Sequence, residues 1–187
     1  MDVYTLTSQC LDTHIRVQAE RIRSKEIAPQ RITVRMLQPA EELKMPYPQV
    51  KNDPADARPR ERLLSIARRS TASLRDVLGN LRVENLVPEV GLEIRHTPLT
   101  PTFRLYLLNG TGALFGPYEV TERPIFLEEN EGIDAIDVVG ISAGLTHHVK
   151  DDDPDSPGSF FVDRMQDWFN SVWNLLSQPS PPASEQQ

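Results

Sequence analysis

Residues 102–117 have the sequence TFRLYLLNGTGALFGP, and the predicted fold depends on this stretch. Two apolar runs flank N-G-T-G at 109–112. Asn and Gly accept the positive φ angles of tight hairpin turns, so the stretch predicts a strand, a turn and a second strand. Alternation along the first strand puts Thr102, Arg104 and Tyr106 on one face. That face is therefore the polar side of an otherwise apolar hairpin.

A strand, a helix and another strand are predicted before this hairpin. Residues 31–37 and 89–97 alternate between apolar and polar side chains, as half-buried strands do. Between them, residues 60–82 repeat apolar side chains at helical spacing. A connection of this length favours a right-handed crossover between parallel strands. We therefore predict an α/β (α+β) fold with a mixed sheet flanked by helices.

One further helix is predicted near each end of the chain. Residues 5–27 carry an apolar stripe and a face with charges of both signs. This pattern favours a packing or dimerising helix over a nucleic-acid-binding one. Ser156 followed by Pro157 is a preferred helix start. The helix that begins there carries Trp168 and Trp173, which we expect to pack on the sheet because they bury a large area. If either is exposed beside other apolar groups, a partner-binding surface is the alternative.

The remaining segments complete the predicted organisation. Five prolines fall within residues 38–59, an irregular stretch that we interpret as a mobile cover near a pocket rather than a plain linker. Further strands are predicted at 118–127 and 133–139. The predicted units are an N-terminal helix at 1–28, a main domain at 29–177 and a disordered tail at 178–187.

Composition excludes several classes of protein. The chain has 187 residues and a net charge of −7, which argues against non-specific nucleic-acid binding by the whole chain. The single cysteine, Cys10, excludes an intrachain disulfide and fits a reducing compartment. No apolar run is long enough to span a membrane, and the N-terminus does not have the pattern of a signal peptide. We expect a cytoplasmic protein without a membrane partner.

Residues 147–155, HHVKDDDPD, contain one candidate for phosphate chemistry. His148, Lys150 and Asp155 match the opening of the phospholipase D signature His-x-Lys-x4-Asp. The signature continues with Gly-Ser six residues later, whereas Val162 and Asp163 stand there, inside the predicted C-terminal helix. We interpret the segment as a surface loop. Phosphate chemistry at His148 and Lys150, or a divalent metal bound by His147, His148 and the nearby aspartates, is the alternative.

The same signature fits the hairpin in spacing but not in chemistry. Thr102 takes the histidine position, Arg104 the lysine position, Asn109 the aspartate position, and Gly116-Pro117 the Gly-Ser position. Arg104 keeps a cation suited to phosphate or carboxylate, but Thr102 supplies no imidazole nucleophile. The stretch therefore resembles a degenerate half of the phospholipase D-like fold, covering about residues 30–145.

A second resemblance covers nearly the whole predicted folded part. The residues that carry it are RITVRML (31–37), RPRER (58–62), LVPEV (86–90), LTPTFRLYLLNG (99–110), ALFGPYEV (113–120), HHVKDDD (147–153) and FVDRMQDWFNSVW (161–173). They resemble a domain of actinobacterial transcription regulators, where it is joined to a GntR-type winged helix-turn-helix. In such regulators the domain would be the sensor. Only one helix precedes the first predicted strand here, so DNA binding is not carried over.

These resemblances imply a catalytically inactive sensor, a pseudoenzyme that takes part in transcription regulation through a DNA-binding partner protein. We expect a small anionic ligand, no cofactor, no metal and no direct contact with nucleic acid. Whether the chain is a monomer or a homodimer stays open. The predicted ligand-binding residues are Thr102, Arg104, Asn109, Arg95, His96 and Tyr106, with Arg104 as the anion anchor. The alternative is a phosphodiesterase, or phospholipase D-type hydrolase, that uses His148 and Lys150.

Overall fold

A computed structural model describes residues 1–127, 131–140 and 144–180. The helices and strands of these residues belong to the α+β class, as predicted. In chain order they are β1 (Asp2–Tyr4), α1 (Gln9–Arg23), β2 (Arg31–Pro39), β3 (Gln49–Val50), α2 (Arg58–Val83), β4 (Glu89–Thr97), β5 (Phe103–Leu108), β6 (Gly112–Pro117), β7 (Glu119–Phe126), β8 (Gly132–Val139), β9 (Thr146–Val149), α3 (Pro157–Leu175) and β10 (Gln178–Pro179).

A seven-stranded mixed sheet forms the centre of the fold, in the order β10-β4-β2-β1-β5-β6-β9. β1 pairs with β2 in parallel, and β2 pairs with β4 in parallel from Arg31↔Glu89 to Pro39↔Thr97. The predicted parallel crossover is therefore confirmed, with α2 as its helix. The predicted hairpin is confirmed as well, since β5 and β6 pair in antiparallel fashion around the turn that contains Asn109.

Helices cover both faces of this sheet, so the protein has three layers. Alternation in β2 sends Met36 to the face under α1 and α2, and Leu37 to the face under α3. Both side chains are fully buried. Burial of two apolar faces is the main favourable term that holds such layers together.

Helix α3 follows the prediction closely. The Ser156 hydroxyl accepts a hydrogen bond from the Ser159 N–H and so caps the helix start. Trp173 is 4% exposed, and Trp168 packs edge-on against Tyr4 of β1. Both tryptophans therefore pack in the core between α3 and the sheet, as expected.

Three short strands correct the sequence prediction. The N-terminal helix was expected from residue 5, but the chain first forms β1, which lies between β2 and β5, and α1 begins at Gln9. Thr146–Val149, expected as part of a surface loop, is the edge strand that pairs with β6. Gln178–Pro179, expected to be disordered, pairs with β4. Strands of two to four residues are too short to show periodicity, and partners distant in the chain create them. The rest of the predicted tail, 181–187, lies outside the described residues.

A second sheet of three strands, in the order β3-β8-β7, stands beside the first. Its strand β3 comes from the proline-rich stretch at 38–59, whose first two residues still belong to β2. Tyr47 of this stretch is buried, and its hydroxyl donates a hydrogen bond to the Pro101 carbonyl. The stretch is thus anchored at the end of the main sheet where the parallel strands terminate.

Gly158 provides a test of how α3 meets the sheet edge. A Cβ at this position would lie 2.2 Å from the Val149 carbonyl oxygen of β9, whereas a Cβ at Gly79 in α2 would meet nothing within 4 Å. We predict that Gly158→Ala lowers the free energy of unfolding by about 1–3 kcal/mol, because the backbone must shift. Gly79→Ala, the matched control, should raise it by about 0.5–1 kcal/mol. Urea denaturation measures both, and equal stabilisation by the two changes would contradict the close approach.

Candidate functional site

Two cavities lie at the end of the main sheet where the parallel strands β1, β2 and β4 terminate. The first, here called the His96 cavity, has a volume of about 270 Å³. The second, the Tyr118 cavity, has a volume of about 260 Å³. Leu6 and Leu63 line both of them. The carboxyl ends of strands are where open α/β sheets bind ligands, so both cavities are candidate sites.

The His96 cavity is built from three parts of the chain. The ends of β2 and β4 and the stretch after β2 form one side, and successive turns of α2 form another. α2 contributes residues spaced three or four apart, which places them on one helix face. The lining residues are Leu6, Gln38, Pro39, Ala40, Glu41, Met45, Leu63, Leu64, Ala67, Arg68, Thr71, Ala72, Arg75, Ile94, His96 and Ser180.

Gln38 is the unusual side chain in this cavity. It is 5% exposed, and its Oε1 lies 3.4 Å from the Thr71 hydroxyl, which donates to it. Its Nε2 has no hydrogen-bond partner among the residues that the structure describes. A buried donor left without a partner costs about 1–3 kcal/mol. Gln38 also lines the cavity, so its amide is an unused donor within the cavity wall.

A hydroxyl cluster holds the surroundings of Gln38 in place. The Ser8 Oγ at the start of α1 lies 2.9 Å from the Ser70 Oγ and 3.0 Å from the Thr71 Oγ1, both on α2. Ser70 also donates to the Ile66 carbonyl. These satisfied hydroxyls join the loop after β1 to α2, so the polar base of the cavity is rigid.

The charges around the His96 cavity leave a positive surplus. Arg68 and Glu41 form an ion pair, and the hydrogen bonds from Arg68 hold the pKa of the Glu41 carboxyl below its usual range. Arg60 donates to the Glu41 carbonyl. Arg75 is exposed and has no ion-pair partner among the described residues. The cation of Arg75 is therefore not neutralised locally.

His96 is half-buried at the carboxyl end of β4. Burial lowers the pKa of its imidazole, and the charge of Arg75 lowers it as well, while Glu41 and Glu42 act in the opposite direction. The neutral ring is thus favoured near pH 7. A neutral imidazole offers one donor and one acceptor to a bound molecule.

The Tyr118 cavity is polar, and several of its polar groups bind one another. The Tyr118 hydroxyl accepts a hydrogen bond from the Leu6 N–H at 2.9 Å and lies 3.1 Å from the Thr5 Oγ1. Arg123 pairs with Asp137 at 2.5 Å. Pro48 of the proline-rich stretch completes part of the wall. These groups already bind one another, in contrast to the Gln38 amide nitrogen.

Two of the predicted ligand-binding residues meet in the Tyr118 cavity. Arg104 and Tyr106 lie on the same face of β5, as alternation predicted, and both are buried. Arg104 is only 3% exposed and donates a hydrogen bond to the Gly140 carbonyl. It therefore ties β5 to the end of β8.

The other predicted residues lie elsewhere. His96 lines the first cavity, whereas Arg95 points to the opposite face of the sheet, with its guanidinium carbon 4.4 Å from the centre of the Trp173 ring. Asn109 is exposed in the hairpin turn with φ of 53°, at the far end of β5, and Thr102 is exposed just before β5. The structure thus divides the six predicted residues among five places instead of bringing them together.

The alternative pair, His148 and Lys150, faces α3. The His148 ring stacks on Phe161 with a centroid distance of 3.8 Å, and its Nε2 lies 3.0 Å from the Thr146 hydroxyl. Lys150 pairs with Asp163 at 2.5 Å. Neither residue lines the His96 or the Tyr118 cavity. Within the described ranges, no group of three or more His, Cys, Asp or Glu residues is placed to hold a metal ion.

Sequence reasoning missed Gln38, although a signal for it exists. Ile32, Val34, Met36 and Gln38 lie on the same face of β2 because the side-chain period is two. A polar residue that continues an apolar face at the carboxyl end of a parallel strand stands where open α/β sheets bind ligands. Arg75 gave no comparable signal, since it is one of several arginines in α2.

Comparison with known proteins gave no match to a family model, to a curated protein or to a solved structure. In the part of the chain that the structure describes, no helix has the length and apolar character needed to cross a bilayer.

Proposed function

We propose that this chain is a non-enzymatic ligand-sensing module and that a small polar molecule binds in the His96 cavity. The observation that carries the proposal is the Nε2 of Gln38, a residue that is only 5% exposed and lines the volume of about 270 Å³. This amide nitrogen lacks a partner among the residues that the structure describes. Proteins rarely leave a buried donor unused, and a functional site is one reason for doing so. A bound ligand with an acceptor atom would remove that cost.

The position of the cavity supports the same proposal. It lies at the carboxyl ends of adjacent parallel strands, between the sheet and α2, where α/β proteins bind small molecules. Its lining combines apolar side chains with a few polar groups, which is the usual composition of such sites. The Tyr118 cavity, several of whose polar groups bind one another, is the weaker candidate.

The regulatory part of the proposal rests on the sequence. The substituted phospholipase D-type spacing at Thr102, Arg104 and Asn109 supports a pseudoenzyme, because no imidazole stands at the attacking position. The register of the hairpin is compatible with that resemblance, since Arg104 pairs with Gly116. By resemblance to the sensor domains of GntR-type regulators, the module would act on transcription through a DNA-binding partner, in the cytoplasm.

A thermal-shift screen tests ligand binding. Nucleotides, sugar phosphates and small carboxylic acids are added to the full chain, and we expect at least one to raise the melting temperature. Ala72→Phe, which adds a ring at a residue of the His96 cavity lining, should abolish that shift. Asn80→Phe, a substitution at an exposed position of α2 outside the cavity lining, is the matched control and should keep it.

Two results would contradict the proposal. No shift by any compound in the screen means that the cavity is not a site for these ligands. A shift that persists in Ala72→Phe places the ligand elsewhere, and the same screen with a Tyr118-cavity variant such as Thr7→Phe then tests the second cavity.

A further inference from the structure

We infer that the ligand of the His96 cavity carries an oxyanion, a carboxylate or a phosphate, on a compact apolar body. The inference rests on the proposed function and specifies it. It assigns the role of anion anchor to Arg75 and Gln38 instead of Arg104.

The charge around the cavity is the first reason. Of the charged side chains in the lining, Arg68 and Glu41 neutralise each other, and Arg75 remains without an ion-pair partner among the described residues. The chain as a whole has a net charge of −7, so the local positive charge at the cavity is opposite in sign to the net charge of the protein. A cation at the mouth of a concave site raises the local concentration of anions.

The unused hydrogen-bonding groups are the second reason. Gln38 presents a free amide N–H, and the buried Ser180 Oγ also lacks a partner among the residues described. Arg75 follows Thr71, the contact of Gln38, by one turn of α2, so Arg75 lies about one helical turn from the residue that Gln38 contacts. These groups together donate hydrogen bonds, and a carboxylate or phosphate only accepts them.

The apolar part of the lining limits the rest of the ligand. Leu6, Met45, Leu63, Leu64 and Ile94 contact the same volume of about 270 Å³. Such side chains favour an apolar ligand portion, because its contact with them removes apolar surface from water. The volume restricts that portion to a small ring or a short chain. A strongly hydrated polyanion fits this lining poorly.

Isothermal titration calorimetry with three probes on the full chain tests the inference. Phenyl phosphate, benzoate and benzyl alcohol share an aromatic ring and differ in the group attached to it. We expect at least one anion to bind about tenfold or more tightly than benzyl alcohol, since a hydrogen bond to a charged group is the stronger kind. The anion that binds better shows whether the natural group is a phosphate or a carboxylate.

Arg75→Gln should weaken binding of that anion about tenfold and reduce its dependence on salt. Arg82→Gln is the matched control, because Arg82 is exposed on the same helix and lies outside the cavity lining. It should leave the affinity unchanged.

The outcomes separate this inference from the proposed function. Equal affinity for benzyl alcohol and the anions, or an Arg75→Gln variant that binds like the wild type, overturns the oxyanion while a ligand site remains. Failure of both anions to bind overturns the inference as well. The thermal-shift screen then decides the proposed function, which stands if a neutral compound gives a shift that Ala72→Phe removes.

Discussion

Phe169→Ala should lower the free energy of unfolding by about 3–5 kcal/mol, the range for loss of a buried aromatic side chain. Phe169 is fully buried in α3, on the face that packs against the sheet. Its ring stacks on Trp173 at a centroid distance of 5.6 Å, and the Arg35 guanidinium carbon lies 5.2 Å from its centre. Removing the ring leaves a cavity that these neighbours fill only in part.

This loss is a large fraction of the free energy of unfolding of a typical domain, which is about 5–15 kcal/mol. Urea denaturation followed by circular dichroism measures it through the midpoint and the slope. Phe160→Ala is the matched control, because Phe160 lies in the same helix and is 57% exposed. It should change stability by less than about 0.5 kcal/mol. Similar effects of the two substitutions would mean that α3 does not bury this face.

The layers of the fold could be predicted because each long element carries its own periodicity. Residues 31–37 and 89–97 alternate and form β2 and β4, and the apolar stripe at 60–82 forms α2. The position of the Ser156 cap followed from local chemistry alone. In all these cases the signal lies within one segment of the chain.

The short strands could not be predicted because their signal lies in a distant segment. Asp2–Tyr4 is a strand because it fills the space between β2 and β5. Its partners in β2 are more than thirty residues away in the sequence, and its partners in β5 are about a hundred residues away. Its burial is complete at Val3, and the Asp2 carboxylate accepts hydrogen bonds from Arg35 and Gln166. Three residues cannot reveal such a position by pattern.

The candidate site shows the same division. Arg104 and Tyr106 share a face of β5, which alternation predicted, but His96 and Arg95 are neighbours in sequence and therefore point to opposite faces of the sheet. A single strand cannot deliver both to one cavity. The contact between Gln38 of β2 and Thr71 of α2 depends on how the crossover packs α2 on the sheet, which the sequence of neither element shows.

Gln38→Met separates function from stability. Methionine has nearly the length of glutamine and no polar atoms that need a partner, so it removes an unsatisfied donor without emptying the space. We expect the free energy of unfolding to stay unchanged or to rise by about 1 kcal/mol. Affinity for the anionic probe should fall about tenfold to a hundredfold, because a hydrogen bond from the amide to a charged group is lost.

Thr71→Val gives the opposite pattern at the neighbouring position and is the control for Gln38→Met. The Thr71 hydroxyl is satisfied, since it contacts both Ser8 and Gln38. Its loss breaks a buried cluster and should lower stability by about 1–3 kcal/mol. Denaturation curves and probe titrations on the same two variants measure both effects. If Gln38→Met destabilises the protein as much as Thr71→Val does, the amide is a structural member of the cluster, and the donor has no free role in binding. Greater stability combined with weaker binding is the result expected of a residue kept for its ligand at the expense of the fold.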